Sequence, residues 1–274
     1  MRCSRSNGRD AVIRAAGLTR IFGPVRAVDG IDFEVRRGEC FGLVGPNGAG
    51  KTTTIKMLAT LLPPTAGEAE VAGFPVRSSA QSVRASIGYV PQSVSVDGLL
   101  TGRENLEYYG RFYGLTRKEV LVRIPHLLAL FDLAEAADRR VATYSGGMIR
   151  RLEIGLSILH EPEVVFLDEP TVGLDPVSRK ALWGHIRRLQ AHQGLSILMT
   201  THYLEEAERL CDRIAIMNRG RIAAMGTLAE LRRQTRLPGA TLERIFTRVA
   251  GGVESESGDF MAVKRGRRLA QRLG

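Results

Sequence analysis

An α/β protein built around a mainly parallel sheet is predicted by two features of the sequence. Short apolar runs alternate along the chain with segments of helical length, which is the order of elements in α/β layer folds. Five of these runs are rich in Val, Ile and Leu and lack polar–apolar alternation, which is typical of strands covered on both faces. Ala27–Val35 does alternate, and it predicts a half-buried antiparallel strand.

The predicted elements follow one another in the order that this fold class requires. The five buried strands are Cys40–Val44, Ile87–Val90, Val164–Asp168, Ser196–Thr200 and Arg213–Met217. The helices predicted for the main body are Lys51–Leu61, Gly146–Leu159, Pro176–Gln193 and Leu204–Leu210. Two shorter helices are predicted near the C-terminus, over Leu228–Arg233 and Leu242–Val249. Cys40, in the first buried strand, is expected to be a small core residue.

A helical subdomain is expected to be inserted in the main domain at about residues 97–145. Strand signals are absent from this region, and helical periodicity predicts helices over Arg103–Tyr113 and Lys118–Phe131. The chain is then divided into a basic N-terminal extension (1–10), the main domain (11–226), a C-terminal helical segment (227–250), and a polar linker with a basic tail (251–274).

Composition excludes several classes of protein. No apolar run approaches the roughly 18 residues that a membrane-spanning helix needs, and the first ten residues lack the apolar segment of a signal peptide. Three cysteines without a C-x-x-C pair argue against a disulfide framework or a zinc site. They suit a reducing cytosol, so we expect a soluble protein that stays in the compartment where it is made.

The net charge of +10 does not indicate a nucleic-acid partner. Basic residues within 1–9 and 261–274, where no acid occurs, carry +8 of it, and the remaining 251 residues carry only +2. A groove that binds a nucleic-acid backbone needs its basic residues in the folded body. For the basic tail, a solvated segment and a contact with a membrane surface both remain open.

A phosphate-binding loop is predicted at residues 45–52, because GPNGAGKT matches the pattern G-x-x-x-x-G-K-[ST]. The strand before it and the helix after it argue against a glycine-rich turn with a chance lysine. Backbone N–H groups and the helix N-terminus surround phosphate oxygens in such a loop, Lys51 would reach the β- and γ-phosphates, and Thr52 would bind Mg²⁺. The residues predicted to bind nucleotide here are Gly45, Pro46, Asn47, Gly48, Ala49, Gly50, Lys51, Thr52 and Thr53.

Two acids, Asp168 and Glu169, follow the buried strand Val164–Leu167 directly. Two solvated acids at a strand end are the plain alternative, but with a phosphate-binding loop in the same chain a catalytic pair is favoured. Burying both carboxylates without a cation would be costly. Asp168 is therefore predicted to hold Mg²⁺, and Glu169 to orient and polarise the attacking water.

The order of motifs resembles the ATP-binding cassette (ABC) transporter ATPase family over about Ala11–Val249. Tyr144–Met148, YSGGM, matches the signature L-S-G-G-Q at its three central residues. The resemblance implies a P-loop NTPase core with an antiparallel β subdomain and an inserted α-helical subdomain. It also implies four further site residues, which are Gln92 (catalytic and a metal ligand), Asp175 (nucleotide-binding, in the D-loop), His202 (catalytic, the switch histidine) and Phe22 (stacked on adenine).

The signature segment itself predicts an anion site. Ser145 is a good N-cap and a helix begins directly after it, so a hydroxyl, backbone N–H groups and the helix dipole converge on one point. A capped structural helix is the alternative. In the family this segment meets ATP held by the opposing subunit, so Ser145, Gly146 and Gly147 are expected to bind nucleotide across a head-to-tail homodimer, or across a dimer with a closely similar ATPase.

Three residues depart from the family pattern. Met148 replaces the signature glutamine and cannot supply its amide hydrogen bonds, and Tyr144 replaces the leucine. Phe22 replaces the commoner tyrosine, but a phenyl face still stacks. We expect altered contacts at the signature rather than loss of the site, since Ser145 and Gly147 are retained.

The stretch Asp97–Leu106 and the following YYGRFYGL resemble the daunorubicin-type drug-resistance branch of bacterial ABC exporters. This likeness implies an ATPase that uses ATP and Mg²⁺, lies peripherally at the cytoplasmic face of the cell membrane and powers a separate integral membrane permease. A soluble ABC ATPase of translation or DNA repair, and a nucleotide-gated regulatory module, are the alternatives. The cargo is not predicted.

In the family, the region after Gln92 and the helical insertion form the groove that receives the permease. Apolar and aromatic residues are frequent there, and we expect most of them to pack in the core of the insertion. They are Leu99, Leu100, Leu106, Tyr108, Tyr109 and Phe112.

Overall fold

Two β-sheets organise residues 11–250, which a computed structural model describes apart from the side chains of residues 192 and 193. In chain order the strands are β1 (Ala11–Phe22), β2 (Val25–Arg36), β3 (Cys40–Val44), β4 (Ala66–Val71), β5 (Phe74–Pro75), β6 (Ile87–Val90), β7 (Val164–Asp168), β8 (Ser196–Thr201), β9 (Arg213–Asn218) and β10 (Arg221–Gly226). The predicted extension 1–10 and the predicted linker and tail 251–274 lie outside the described residues.

The larger sheet has the order β10-β9-β3-β8-β7-β6, and only its edge strand β10 is antiparallel to its neighbour. The smaller sheet has the order β2-β1-β4-β5 and is antiparallel throughout. The predicted α/β class, with a mainly parallel sheet and an antiparallel β subdomain, is confirmed.

Nine α-helices connect these strands within residues 11–250. They are α1 (Lys51–Leu58), α2 (Ala80–Ser86), α3 (Gly102–Phe112), α4 (Arg117–Leu130), α5 (Gly146–Ile158), α6 (Pro176–Gln193), α7 (Leu204–Leu210), α8 (Leu228–Thr235) and α9 (Leu242–Ala250). Two 3₁₀ turns, Ala134–Ala136 and Val141–Thr143, follow α4. The segment of residues 97–145 is thus helical, as its periodicity predicts.

The first helix is shorter than the predicted Lys51–Leu61, because it ends at Leu58. Ala59 caps it, and Thr60 then takes a left-handed backbone conformation with φ of 60°. A helix cannot continue through that conformation, so the apolar pair Leu61–Leu62 belongs to the turn that leads to β4.

Strands β3, β7 and β8 are buried at every residue. Apolar side chains fill both faces of this central part of the sheet, and Cys40 is buried among them as expected. Polar side chains nevertheless occur where β7 and β8 end, at Asp168, Thr200 and Thr201. The carboxyl edge of a parallel sheet is where α/β proteins bind ligands, so these buried polar groups mark the site.

None of the helices within residues 11–250 has the length and apolar character that crossing a bilayer demands.

Candidate functional site

The site lies where the carboxyl ends of β3, β7 and β8 meet. These three strands are parallel neighbours, and their register places Val44 opposite Thr201 and Asp168 opposite Thr200. The loop Gly45–Gly50 leaves β3 at this edge, and the acids and His202 leave β7 and β8 beside it. Residues more than a hundred positions apart in the sequence are thereby brought together.

The loop after β3 wraps around its own lysine. Gly50 is the N-cap of α1 and has φ of 101°, and a Cβ there would lie 2.4 Å from the Ala27 carbonyl oxygen, so only glycine fits. The Lys51 side chain is 4% exposed and its Nζ donates to the carbonyl oxygens of Gly45 (2.9 Å) and Pro46 (3.1 Å). The ammonium group is therefore fixed in the mouth of the loop.

Lys51, Glu169 and His202 form one continuous constellation. Lys51 Nζ lies 3.3 Å from Glu169 Oε1, and His202 Nδ1 lies 2.9 Å from Glu169 Oε2. The hydrogen bond from His202 lowers the pKa of Glu169, burial opposes that effect, and the nearby Lys51 charge lowers the pKa further. Lys51 and His202, predicted from separate motifs, thus share the Glu169 carboxylate, which is held ionised.

The ionised Glu169 also fixes the proton on His202. A carboxylate only accepts hydrogen bonds, so Nδ1 of the imidazole must donate. In the neutral ring Nε2 is then the acceptor nitrogen, and it lies on the side of the ring opposite to Glu169.

Thr200 is a site residue that sequence reasoning did not single out. Its Oγ1 donates to Asp168 Oδ1 (2.6 Å) and accepts from the backbone N–H of Glu169 (3.0 Å), so one hydroxyl orients both acids. Glu169 has φ of 50°, which turns its side chain out of the strand direction. The parallel pairing of β7 with β8 sets Asp168 beside the TT dipeptide of β8, and no local pattern in the sequence reveals this contact.

The predicted metal residues Thr52 and Asp168 are in direct contact. Thr52 Oγ1 donates to Asp168 Oδ1 (3.0 Å), and Asp168 is 1% exposed. Residues 11–250 contain no group of three His, Cys, Asp or Glu side chains arranged to hold a metal. One carboxylate and one hydroxyl beside a phosphate site are hard oxygen donors of the kind Mg²⁺ takes, with phosphate and water oxygens completing its shell, so the residues fit this ion.

Gln92, predicted as a further ligand, is exposed just after β6. Its side chain makes no hydrogen bond within residues 11–250, so the structure does not bring it into contact with Thr52 or Asp168. Its backbone carbonyl, in contrast, accepts from Arg150 Nη2 (2.9 Å).

Phe22 ends β1 with 43% of its surface exposed. The Arg20 guanidinium lies 4.5 Å from the ring centroid, over the face of the ring. An aromatic ring with one face on a guanidinium group can offer its other face to a planar group.

The signature residues lie on an element separate from the loop. Ser145 caps α5 and accepts from the Met148 N–H (3.3 Å), and it has no contact with residues 45–52 among the described hydrogen bonds. Ser145 and Gly146 are exposed, whereas Gly147 is packed so tightly that a Cβ would lie 2.8 Å from Ser178 Oγ. The helix N-terminus therefore faces outward.

The remaining predicted residues have local structural roles. Asp175 caps α6 by accepting from the N–H groups of Val177 (2.9 Å) and Ser178 (3.0 Å). A hydrogen bond from the Ser178 side chain, together with these backbone hydrogen bonds, lowers the pKa of Asp175. The Tyr144 hydroxyl donates to the Ala136 carbonyl (2.6 Å), and Met148 packs partly against the core. The two departures from the signature pattern are thus accommodated by contacts with neighbouring helices.

A loop of this sequence between β3 and α1, with two acids at the end of β7, defines a P-loop nucleoside triphosphatase. The protein-family model described as ABC transporter matches residues 28–172. The chain is 46% identical over 226 residues, 82% of its length, to the daunorubicin resistance ATP-binding protein DrrA3 of Streptomyces coeruleorubidus, and the match covers 71% of that protein. The chain belongs to the ABC transporter family, and it is an ATP hydrolase.

Two further comparisons agree with this assignment. The Nod factor export ATP-binding protein I of Ralstonia nicotianae is 44% identical over 224 residues, covering 82% of this chain and 70% of that protein. A solved structure of an ATP binding subunit of an ABC transporter superposes with a TM-score of 0.79 at 34% identity, covering 87% of this chain and 99% of that chain. The predicted likeness to the drug-resistance branch and the ABC ATPase fold are confirmed.

Replacing His202 with Ala is expected to raise the pKa of Glu169, because the hydrogen bond that chiefly lowers it is lost while burial, which raises it, remains. Carbon-13 NMR titration of the glutamate carboxyl groups measures this pKa, with the Glu169 signal assigned from its absence in Glu169→Gln. The stabilisation from the pair is present above the pKa of glutamate in the unfolded chain and is lost as pH falls through the lower pKa of folded Glu169. The stability deficit of His202→Ala should therefore shrink in acid.

The matched control is His126→Ala, since His126 is exposed on α4 and outside the constellation. It should leave the Glu169 titration unchanged. An unaltered Glu169 pKa in His202→Ala would show that the pair does not set the ionisation of this acid.

Proposed function

We propose that this chain is the ATP-hydrolysing subunit of an exporter and that it powers a separate integral membrane permease from the cytoplasmic face of the membrane. The observation that carries the proposal is the Lys51–Glu169–His202 constellation next to the Thr52–Asp168 pair. It provides a phosphate-binding cation, an ionised base and hard oxygen donors at one sheet edge. The intact Glu169 and His202 favour turnover over a purely regulatory role.

In this proposal each site residue contacts a defined part of ATP or the water that attacks it. The N–H groups of Gly45–Thr53 and the Lys51 ammonium bind the phosphates, and Phe22 stacks on the adenine. Glu169 accepts a hydrogen bond from the attacking water and orients it. His202 stabilises the charge that develops on the transferred phosphoryl group in its doubly protonated form, in which Nε2 donates to the phosphoryl oxygen while Nδ1 donates to Glu169.

Mg²⁺, when bound, would neutralise negative charge on the phosphates. Thr52 and Asp168 would hold it, because their oxygens already lie together at the sheet edge. Gln92 is proposed as a further ligand and catalytic contact.

The proposed site is completed by a second copy of the chain. The loop Gly45–Thr53 and the signature residues Ser145–Gly147 lie on different elements, and the N-terminus of α5 faces outward. An outward helix N-terminus with a capping hydroxyl is a suitable site for the γ-phosphate of ATP held by a partner. A head-to-tail dimer therefore forms two composite sites, with Asp175 close to the interface.

A permease partner is supported by exposed apolar side chains on and before α3. Most of the six apolar and aromatic residues of this region were expected to pack in the core of the insertion, and that expectation is wrong. Leu106 is buried, whereas Tyr109 and Leu100 are only partly buried. Leu99, Tyr108 and Phe112 are 78%, 64% and 79% exposed. Large apolar groups that remain exposed beside one another are typical of a protein–protein contact.

The export role and cargo class rest on the relatives. Their names refer to daunorubicin resistance and to Nod factor export, which are different cargoes. We propose efflux of a drug or another hydrophobic natural product through the permease, powered by the main domain (11–226) with its helical insertion (97–145). The segment 227–250 is proposed to be a C-terminal helical addition, and 251–274 a linker and tail.

Lys51→Ala is expected to abolish nucleotide binding or turnover, because it removes the cation of the loop.

Glu169→Gln should keep ATP bound while lowering the rate of hydrolysis by roughly a hundredfold or more, since an amide is a poor base. Equilibrium binding of a fluorescent ATP analogue and steady-state phosphate release test both outcomes. Glu163→Gln is the control, because Glu163 precedes β7 at its other end in an exposed ion pair with Arg37. Turnover near the wild-type rate in Glu169→Gln would refute the role given to Glu169.

Dimer formation should depend on ATP and on Ser145. In the Glu169→Gln background, light scattering with MgATP is expected to show a dimer, and Ser145→Ala is expected to weaken it. Thr116→Ala removes the equivalent capping hydroxyl from α4 at a similar cost of about 0.5–2 kcal/mol and should leave the dimer intact. Monomers at every concentration, together with full turnover by the wild-type chain, would overturn the composite site.

The permease surface is tested by the double variant Tyr108→Ser and Phe112→Ser. When the chain is coexpressed with a candidate integral membrane permease that co-purifies with the wild-type chain, this variant should lose co-purification while the isolated subunit keeps its basal ATPase rate. The double variant Leu121→Ser and Val122→Ser, on the exposed part of α4, is the matched control. Equal co-purification of both variants would place the contact elsewhere.

A further inference from the structure

Arg150 is a charged residue that is only 5% exposed, on the second turn of α5. Its guanidinium group donates to three backbone carbonyls, those of Pro170 (from Nε, 2.9 Å), Pro91 (from Nη1, 2.8 Å) and Gln92 (from Nη2, 2.9 Å). Nη1 also lies 2.8 Å from Glu153 Oε2. One side chain therefore joins α5 to two loops that are distant in the sequence.

Both of these loops carry residues of the proposed catalytic site. Pro170 follows Glu169 directly, so the hydrogen bond from Nε to the Pro170 carbonyl fixes the Pro170–Thr171 peptide, one residue beyond the proposed base. Gln92 is itself a predicted ligand, and its carbonyl and that of Pro91 are held by the same guanidinium group. The planar fork of an arginine can hold several acceptors at fixed relative positions, which a lysine cannot do.

Glu153 holds the same loop at a second point. It is 2% exposed, and its Oε1 accepts from the backbone N–H (2.6 Å) and the hydroxyl (2.9 Å) of Ser95. Its other oxygen binds Arg150. The segment from Pro91 to Ser95 is therefore tied to α5 on both sides of Gln92.

Burying the Arg150–Glu153 ion pair of α5 costs free energy. Taking two charges out of water costs several kcal/mol before hydrogen bonds offset it, and apolar residues of similar volume often give equal or greater stability. The geometry is complete, since every nitrogen of the Arg150 guanidinium group donates to a described acceptor. Such a network is better explained by the positions it fixes than by stability.

We infer that Arg150, oriented by Glu153, is a positioning residue that sets Gln92 and Glu169 relative to the signature helix α5. The inference rests on the proposed function, in which Gln92 and Glu169 serve the ATP of their own subunit while Ser145, at the start of α5, serves the ATP of the partner. Arg150 thereby fixes the residues that serve one composite site, Gln92 and Glu169, relative to the helix whose Ser145 serves the other. Its loss should impair hydrolysis while leaving ATP binding to the loop of residues 45–53 in place.

The test compares Arg150→Met with Arg123→Met in the full chain. Arg123 donates to the Leu159 carbonyl beyond the far end of α5 and pairs with Glu161, away from the site. Arg150→Met is expected to lower kcat for phosphate release roughly ten- to a hundredfold, as small misplacements of reacting groups do, while the Kd for a fluorescent ATP analogue stays near the wild-type value. Arg123→Met should change neither, and Arg150→Lys should recover part of the rate.

Thermal melting of each variant separates positioning from folding. If Arg150→Met does not fold, Arg150→Lys and Glu153→Gln provide the same measurement with nearly unchanged side-chain volume. Equal kcat in wild type and both Arg150 variants, or a parallel loss of binding and rate, would overturn the positioning role while the proposed function stands. A wild-type chain that releases no phosphate would overturn both.

Discussion

The parallel pairing of β7 with β8 is the constraint on which the site depends. It sets Asp168 opposite Thr200, so that one buried hydroxyl can bind Asp168 and the backbone of Glu169 at the same time. Because β3 is the next parallel neighbour, the loop that holds Lys51 opens at the same edge. The distances of about 3 Å from Glu169 to Lys51 and from Glu169 to His202 depend on this register, because no local segment of the chain contains all three residues.

The negative charges at the carboxyl edge of the larger sheet are compensated by groups of the protein itself. Asp168 and Glu169 are both nearly inaccessible to water, and two buried anions would be strongly unfavourable without partners. Asp168 accepts from two hydroxyls, whereas Glu169 takes a hydrogen bond from His202 and an ion pair from Lys51. The two adjacent acids therefore have different surroundings. One is surrounded by oxygen groups suited to a cation, and the other by nitrogen groups that keep it ionised, which matches a ligand role and a base role respectively.

Sequence patterns predicted the strands that are buried on both faces and the alternating strand Ala27–Val35, which is confirmed as part of β2, but they missed β1, β4, β5 and β10. The bounds of β3, β6 and β7 are as predicted, because uninterrupted apolar runs mark them, whereas β4, AGEAEV, carries few strand-forming residues and gave no signal. The association of Lys51, Glu169 and His202 was predictable because each residue lies at a recognisable point of a motif. Thr200 and Arg150 were not, since their importance arises from contacts with segments 30 to 60 positions away that no local pattern reveals.

The segment that carries Gln92 connects the two surfaces on which the proposed function depends. At one end Arg150 and Glu153 bind Pro91, Gln92 and Ser95. At the other end Asn105 of α3 binds both the N–H and the carbonyl of Asp97 (3.0 Å each). The exposed residues Tyr108 and Phe112 lie on that same α3. A partner that shifts α3 must therefore either break the Asn105–Asp97 hydrogen bonds or pull on the segment that Arg150 holds beside Glu169. One short segment, held by hydrogen bonds at both ends, thus links the helix with the exposed aromatic residues to the carbonyls that Arg150 binds.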